Sequence, residues 1–278
     1  MMNTSNQTYK ELAIPYFKEV FEIVDNIMNE FQIPYYLIGA SAIALELLKS
    51  GIKPSRGTKD IDFAIMLSSM QEFEKLSNTL TQNGFNKVKA PWTFYSQKYS
   101  IAIDLMPFGE IEEKDTLNFN QRNVDLHVLG FKEVLKNANY VQIEDKIVNI
   151  PALPGMIILK LVAWSDRPEE RTDDLSDIAK IIQHYFDHNF DEIVEHHHDT
   201  FPKDKLDPIK VSAEVLGREA SAYLEKSKNL SERIFSIIEE NFNQKVHSII
   251  AKSWAISQNW EIQYALEVLQ AFQKGLKR

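Results

Sequence analysis

The apolar positions of this chain follow two rhythms. Between Tyr9 and Phe31, residues Phe17, Val20, Phe21, Ile23, Val24 and Ile27 recur at helical spacing and predict an amphipathic helix. Tyr35-Tyr36-Leu37-Ile38 is a short unbroken apolar run ended by Gly39, the pattern of a buried strand. Helical spacing returns from Ser41 through Ala44, Leu45 and Leu48, with Gly51 as a C-terminal stop. A second strand is predicted over Ile61 to Leu67, then a helix from about Ser69 to Leu80 that stops near Gly84. Phe85 to Lys89, Thr93 to Gln97 and Tyr99 to Met106 are rich in aromatic and β-branched residues and lie close enough to pair as antiparallel strands.

Beyond Pro151 and Pro154 most of the chain has helical periodicity, including the run from Leu216 to Leu230. The expected fold class is therefore α+β, with a mixed β-sheet flanked by helices over residues 1–152 and a mostly α-helical domain over 153–278. No solenoid repeat or low-complexity tract interrupts this pattern. His196-His197-His198-Asp199 is the only biased patch, and it reads as a solvated loop, because three adjacent residues on a regular element cannot all face one ion. Trp92, Phe94 and Tyr95 offer rings that stack on a base, and aromatics in a hairpin equally serve as core.

Composition narrows the chemistry. The 278 residues are 44% hydrophobic and 26% charged, enough apolar surface for a proper core. With no cysteine, disulfides and thiolate metal sites are excluded, so a metal has to be held by oxygen or imidazole. The net charge of −9 argues against a protein that holds nucleic acid by bulk charge, and leaves room for a local basic groove. The first ten residues are polar, and no apolar run approaches the ~18 residues of a membrane span, so no membrane partner and a cytoplasmic location are expected.

In Thr58-Lys59-Asp60-Ile61-Asp62-Phe63-Ala64-Ile65 the strand period of two places Asp60 and Asp62 on one face and Ile61, Phe63 and Ile65 on the other. Two carboxylates side by side repel each other unless a cation neutralises them, which suits a divalent metal site; hard oxygen donors favour Mg2+ or Mn2+. By itself an Asp-x-Asp pair equally decorates a solvated strand face. Asp104 adds a third carboxylate on the polar side of its strand, opposite Ile101, Ile103 and Leu105. Such a trio holds two ions, with Asp104 as the candidate base in an in-line displacement at phosphate. Upstream, Gly39 permits close backbone approach, while Ser41 and the first helical amides offer donors to a phosphate. Ser41 also reads as a plain helix N-cap, and the two roles are compatible.

The strand ending in Gly39-Ala40-Ser41, the stretch Arg56-x-Thr58-x-Asp60-Ile61-Asp62, and Asp104 on a later strand resemble the hG[GS]…Dh[DE]h signature of the polymerase-β-like nucleotidyltransferase superfamily. The interval between Ser41 and Asp60 is longer than in minimal antibiotic-modifying members, and looks more like that of AbiEii-type abortive-infection toxins. The segment from Lys160 through Arg171 and Asp174 to Asp177 is similar to the lysine and R-x-x-D-x-x-D motifs of that family, with Asp173-Asp174 in place of a basic-acidic pair. The likeness spans residues 34–185, with a weaker echo at Leu216-Gly217-Arg218.

The resemblance implies an NTP-dependent transferase with a two-metal mechanism. Residues 1–152 would be its catalytic domain, and 153–278 a helical domain contributing to the nucleotide and acceptor cleft. Gly39, Ser41, Arg56, Thr58 and Lys160 would bind the nucleotide. Asp60, Asp62 and Asp104 would bind Mg2+ or Mn2+ and act with Lys160 and Asp174 in catalysis. The acceptor implied is a hydroxyl, with a tRNA 3′ end or other RNA foremost, and the partner a cognate antitoxin. Modification of a small molecule or a protein, and a silent nucleotide-binding module, are the alternatives. Asp174, Ile178, Ile181 and Tyr185 share one helical stripe, so the Asp174 charge needs a partner, for which Lys160 and Arg171 are candidates. That pairing fits a structural ion pair or a phosphate-contacting lysine oriented by Asp174, with Asp177 as the alternative orienting residue.

Overall fold

The computed structural model describes residues 8–54, 57–58, 60–88, 90–119 and 124–277. They form an α+β protein whose chain divides into two compact units, Met1–Ala152 and Leu153–Arg278. Among the described residues no helix is long and apolar enough to cross a membrane.

In the first unit a 3-10 turn at Thr8–Leu12 precedes helix α1, Phe17–Glu30. The single helix predicted from Tyr9 is interrupted there. Pro15 disfavours helical backbone at Ile14, and Ala13 and Tyr16 both adopt positive φ. From Phe17 onward most of the expected stripe is buried, through Val20, Phe21, Val24 and Ile27, joined by Met28, while Ile23 is half-buried. Strand β1 (Tyr35–Ile38) runs into α2 (Gly39–Leu48), and β2 (Asp60–Leu67) leads to α3 (Met70–Gln82). Ser69 caps α3 by accepting from the Glu72 amide, while the Glu72 carboxylate accepts from the Ser68 amide at 2.7 Å.

Strands β3 (Asn86–Lys87), β4 (Thr93–Ser96) and β5 (Ile101–Gly109) form the antiparallel series the sequence predicts. The ribbon β6 (Thr116–Phe119) and β7 (Val124–His127), short helix α4 (Phe131–Leu135) and hairpin β8 (Asn139–Ile143) and β9 (Lys146–Ile150) complete the unit. The seven-stranded sheet has the order β3-β4-β5-β2-β1-β9-β8, with β2 parallel to β5 and β1 parallel to β9. The last hairpin thus docks beside the first strand. Its alternation was present in the sequence, in Val141, Ile143, Val148 and Ile150, all buried.

One face of the sheet is apolar: Ile61, Phe63, Phe94, Ile103 and Leu105 are fully buried. Phe73 of α3 meets Phe94 at 6.5 Å between ring centroids, so α3 lies against this face. The other face carries the carboxylates.

The second unit consists of α5 (Leu153–Asp166), α6 (Thr172–His188), α7 (Phe190–His196), α8 (Pro208–Leu224), α9 (Lys228–Asn243), α10 (Ile249–Gln258) and α11 (Ile262–Leu276). The run read as one helix to Leu230 is broken after Leu224, because the Ser227 side chain caps α9 by accepting from the Leu230 amide at 3.2 Å. Helices α8 and α11 touch through glycines. A Cβ on Gly217 would lie 2.2 Å from the Phe272 carbonyl oxygen, and one on Gly275 would lie 2.1 Å from that of Glu214. These obstacles are backbone, so a helix has to move. Alanine at Gly217 gains ~1 kcal/mol of helix propensity and incurs overpacking of about 3 kcal/mol, so a net loss of stability is expected. Urea unfolding of Gly217→Ala checks this, and a variant more stable than wild type would contradict the close crossing.

Candidate active site

Three side chains converge because two strands run side by side in register. In the parallel pair β2 and β5, Asp62 stands opposite Asp104, and Asp60, two residues earlier, stands opposite Ala102. The period of two puts all three carboxylates on the face opposite Ile61, Phe63, Ile103 and Leu105. Each offers an oxygen within 4.8 Å of the other two, and each is partly exposed, so the cluster is reachable. Like charges at this spacing cost on the order of 3 kcal/mol per pair at an effective dielectric near 20. A divalent cation removes that cost. The donor set is all oxygen, as Mg2+ or Mn2+ prefers.

The surroundings keep the carboxylates in place. Thr58 Oγ1 donates to Asp60 Oδ1, which fixes the rotation of that carboxylate. Thr58, which the resemblance places among the nucleotide contacts, directs its hydroxyl at Asp60. Ile38, the last residue of β1, pairs with Asp62, so the chain turns into α2 directly beside that carboxylate. Gly39 makes this turn at φ +69°, and a Cβ there would lie 2.0 Å from Asp62 Oδ2. Glycine is therefore demanded by backbone conformation and by space.

Gly39→Ala is expected to swing the Asp62 side chain out of the cluster and weaken Mn2+ binding at least ~10-fold, the scale on which supporting groups act at metal sites. Calorimetric titration of Mn2+ checks it, and unchanged affinity would contradict the role given to this contact.

Ser41 is not the N-cap. Helix α2 begins two residues earlier, with Ile38 in the cap position and no side-chain cap, because Gly39 at positive φ completes the turn that Ser41 was expected to make. Ser41 lies within the first turn, 2% exposed, and its hydroxyl has no hydrogen-bond partner among the described residues. The first amides of a helix are unsatisfied within it and form an electropositive end, so Gly39, Ala40 and Ser41 present donors suited to an anion. Arg56, also predicted to bind nucleotide, and Lys59 lie outside the described residues.

In the second unit, α5 is apolar on nearly every side, and Lys160 is only 8% exposed within it. Its ammonium lies 2.7 Å from Asp174 Oδ1 and 2.9 Å from Asp177 Oδ2, while Arg171 approaches Asp174 Oδ2 at 3.5 Å. The residues set out as alternatives thus act together, in a cluster of two cations and two anions. Burial pushes the Lys160 ammonium down, and the charges of Asp177 and Asp174 outweigh it, so its pKa is raised above the ordinary lysine value.

Other polar residues resolve into structural roles. Arg218 donates to both carboxylate oxygens of Asp199 at 2.7 and 3.0 Å and to Glu214 at 3.1 Å. The histidine run is the end of α7 followed by a 3-10 turn at His198–Thr200, not a loop, and its aspartate serves Arg218. Tyr185 donates to Glu219 at 2.8 Å, a half-buried contact that no sequence pattern indicated. Burial raises the Glu219 carboxyl above its usual range, and the Tyr185 hydrogen bond opposes that.

No family model matches the chain, and no curated protein matches it. Among solved structures it is similar to the lincosamide antibiotic adenylyltransferase LnuA with lincomycin bound, at 18% identity over 58% of this chain and 95% of that one, with a TM-score of 0.38. A nucleotidyltransferase-like protein from Paracoccidioides brasiliensis is similar at 14% identity over 78% and 90% of the two chains, with a TM-score of 0.38. The cyclic dinucleotide synthase CdnE of Elizabethkingia meningoseptica, solved with GTP and Apcpp, is similar at 11% identity over 94% and 92%, with a TM-score of 0.30. Likeness this shallow carries no activity across. The chemistry has to come from the residues of the site.

Proposed function

We propose that this chain is a divalent-metal-dependent nucleotidyltransferase that moves a nucleoside monophosphate from a nucleoside triphosphate to a hydroxyl acceptor and releases pyrophosphate. The observation that carries this reading is the convergence of Asp60, Asp62 and Asp104 on one sheet face beside an uncapped helix start. Asp60, Asp62 and Asp104 would hold Mg2+ or Mn2+, which when bound supplies charge neutralisation at the triphosphate and acidifies the attacking hydroxyl. The Gly39 to Ser41 amides bind phosphate oxygens. Thr58 keeps Asp60 oriented. Asp104, at the β5 side of the trio, accepts the proton of the entering hydroxyl. We read the buried cluster of Lys160 with Asp174 and Asp177 as the ion-pair alternative set out above, linking α5 and α6 within the second unit.

The purified chain should transfer label from α-labelled nucleoside triphosphates in the presence of Mg2+, and chelation should stop it. Offering total cellular RNA in one reaction and the small-molecule fraction of a cell extract in another assigns the acceptor. The motif resemblance makes an RNA 3′ end the first acceptor to try, and if that resemblance extends to biology the chain is a growth-inhibiting toxin held in check by a cognate antitoxin. Absence of label from RNA, small molecules and protein alike would overturn the transferase reading.

A further inference from the structure

The three aromatic residues around β4 have different fates. Trp92 is 5% exposed and Phe94 is fully buried, both part of the core. Tyr95 is 39% exposed, and among the described residues its ring stacks on no other aromatic. Its position is informative. Tyr95 pairs with Ala102, and Ala102 pairs with Asp60, so the three form one row across β4, β5 and β2 on the carboxylate face. Thr93, Asp104 and Asp62 form the next row on the same face. Strand spacing puts the Tyr95 backbone about 10 Å from that of Asp60. Only the methyl group of Ala102 stands between them, which leaves a trough with an aromatic wall on one side and the carboxylates on the other.

The direction of the reaction decides what this trough faces. In-line displacement brings the entering hydroxyl in opposite the leaving pyrophosphate. The phosphate-binding turn follows β1, and the order β4-β5-β2-β1 puts Tyr95 on the opposite side of the carboxylates from that turn. Asp104 on β5, the proposed base, is also the carboxylate nearest β4.

We infer that Tyr95 is an acceptor-recognition residue, its exposed ring stacking on a flat or sugar ring next to the accepting hydroxyl. This rests on the transferase reading above. A ring on this wall holds its neighbouring hydroxyl over Ala102, toward Asp104, and aromatic stacking of this kind tolerates variety in the ring it receives.

The test compares wild type, Tyr95→Phe and Tyr95→Ala. Label transfer is measured against increasing total cellular RNA and, separately, the small-molecule fraction of a cell extract, together with equilibrium binding of the labelled nucleoside triphosphate without acceptor. Tyr95→Ala is expected to raise the half-saturating concentration of the acceptor pool about tenfold, with the saturating rate and nucleotide affinity unchanged. Tyr95→Phe, which keeps the ring, should behave as wild type. The pool that takes label from the wild type identifies whether the ring belongs to RNA or to a small molecule. An unchanged acceptor requirement in Tyr95→Ala, a parallel loss of nucleotide affinity, or a phenylalanine variant as impaired as the alanine one would overturn the inference and leave the transferase reading standing. A wild type that labels neither pool would overturn this inference, and the reading on which it rests falls with it if the protein of a cell extract takes no label either.

Discussion

Replacing Asp60 and Asp62 together with asparagine is expected to reduce nucleotide transfer by about a thousandfold or more, since the loss of bound divalent charge removes several kcal/mol of stabilisation from the transferring phosphoryl group. The same variant should be at least as stable as wild type when metal is absent. The three carboxylates lie within 4.8 Å of one another, and their mutual repulsion opposes folding. Neutral amides of the same shape relieve it. An ordinary structural role predicts the reverse pattern, with stability falling and activity falling only in proportion. Thermal unfolding with and without Mg2+ separates the two: the ion should raise the midpoint of wild type and leave that of the variant unmoved.

The second large effect is on stability. Lys160→Met removes the cation between Asp174 and Asp177, and breaking a buried pair from one side costs about 3–5 kcal/mol. Adding Asp177→Leu to Lys160→Met should recover part of the loss, because it withdraws one of the buried charges left behind. The pH dependence follows from the direction of the lysine shift. A pKa raised in the folded state gives stability that is fully present below the unfolded lysine value of 10.5 and is lost as pH rises through the folded value. The gap between wild type and Lys160→Met should therefore be constant from neutral pH to about pH 9 and narrow above about 10.5. Denaturant unfolding across that range checks it, and a gap that narrows well below pH 9 would contradict the assigned charge state.

Local periodicity carried much of this structure. β1 was legible from four apolar residues ended by a glycine, and the faces of β2 and β5 from simple alternation, because side-chain direction in a strand depends only on the parity of position. What alternation does not contain is register. That Asp104 stands opposite Asp62, not two residues away, is set by the parallel pairing of strands separated by α3 and two further strands. The hairpin of β8 and β9 lies outside the predicted elements because its place beside β1 is a long-range choice that alternation does not encode.

Ser41 shows how a local rule yields to a neighbour. Serine is a preferred N-cap, yet the left-handed turn at Gly39 starts the helix first and leaves the serine hydroxyl inside. Lys160 shows the limit of stripe reasoning. The place of Asp174 on an apolar stripe called for a partner and left Lys160 and Arg171 as candidates, and packing brings both of them, with Asp177, into one cluster. Tyr95 and Phe94 are neighbours on β4 and point to opposite faces, and which ring is exposed is fixed by which face the helices cover.

The most direct test of the carboxylate site is Mn2+ binding, read by electron paramagnetic resonance of the free ion during titration into wild type and the Asp60→Asn, Asp62→Asn double variant, each with a non-hydrolysable nucleoside triphosphate analogue. Wild type is predicted to take up Mn2+ beyond what the analogue alone binds, and the double variant to take up none of that excess. Equal uptake by the two proteins would contradict the assignment of these aspartates as the metal-holding centre of the protein.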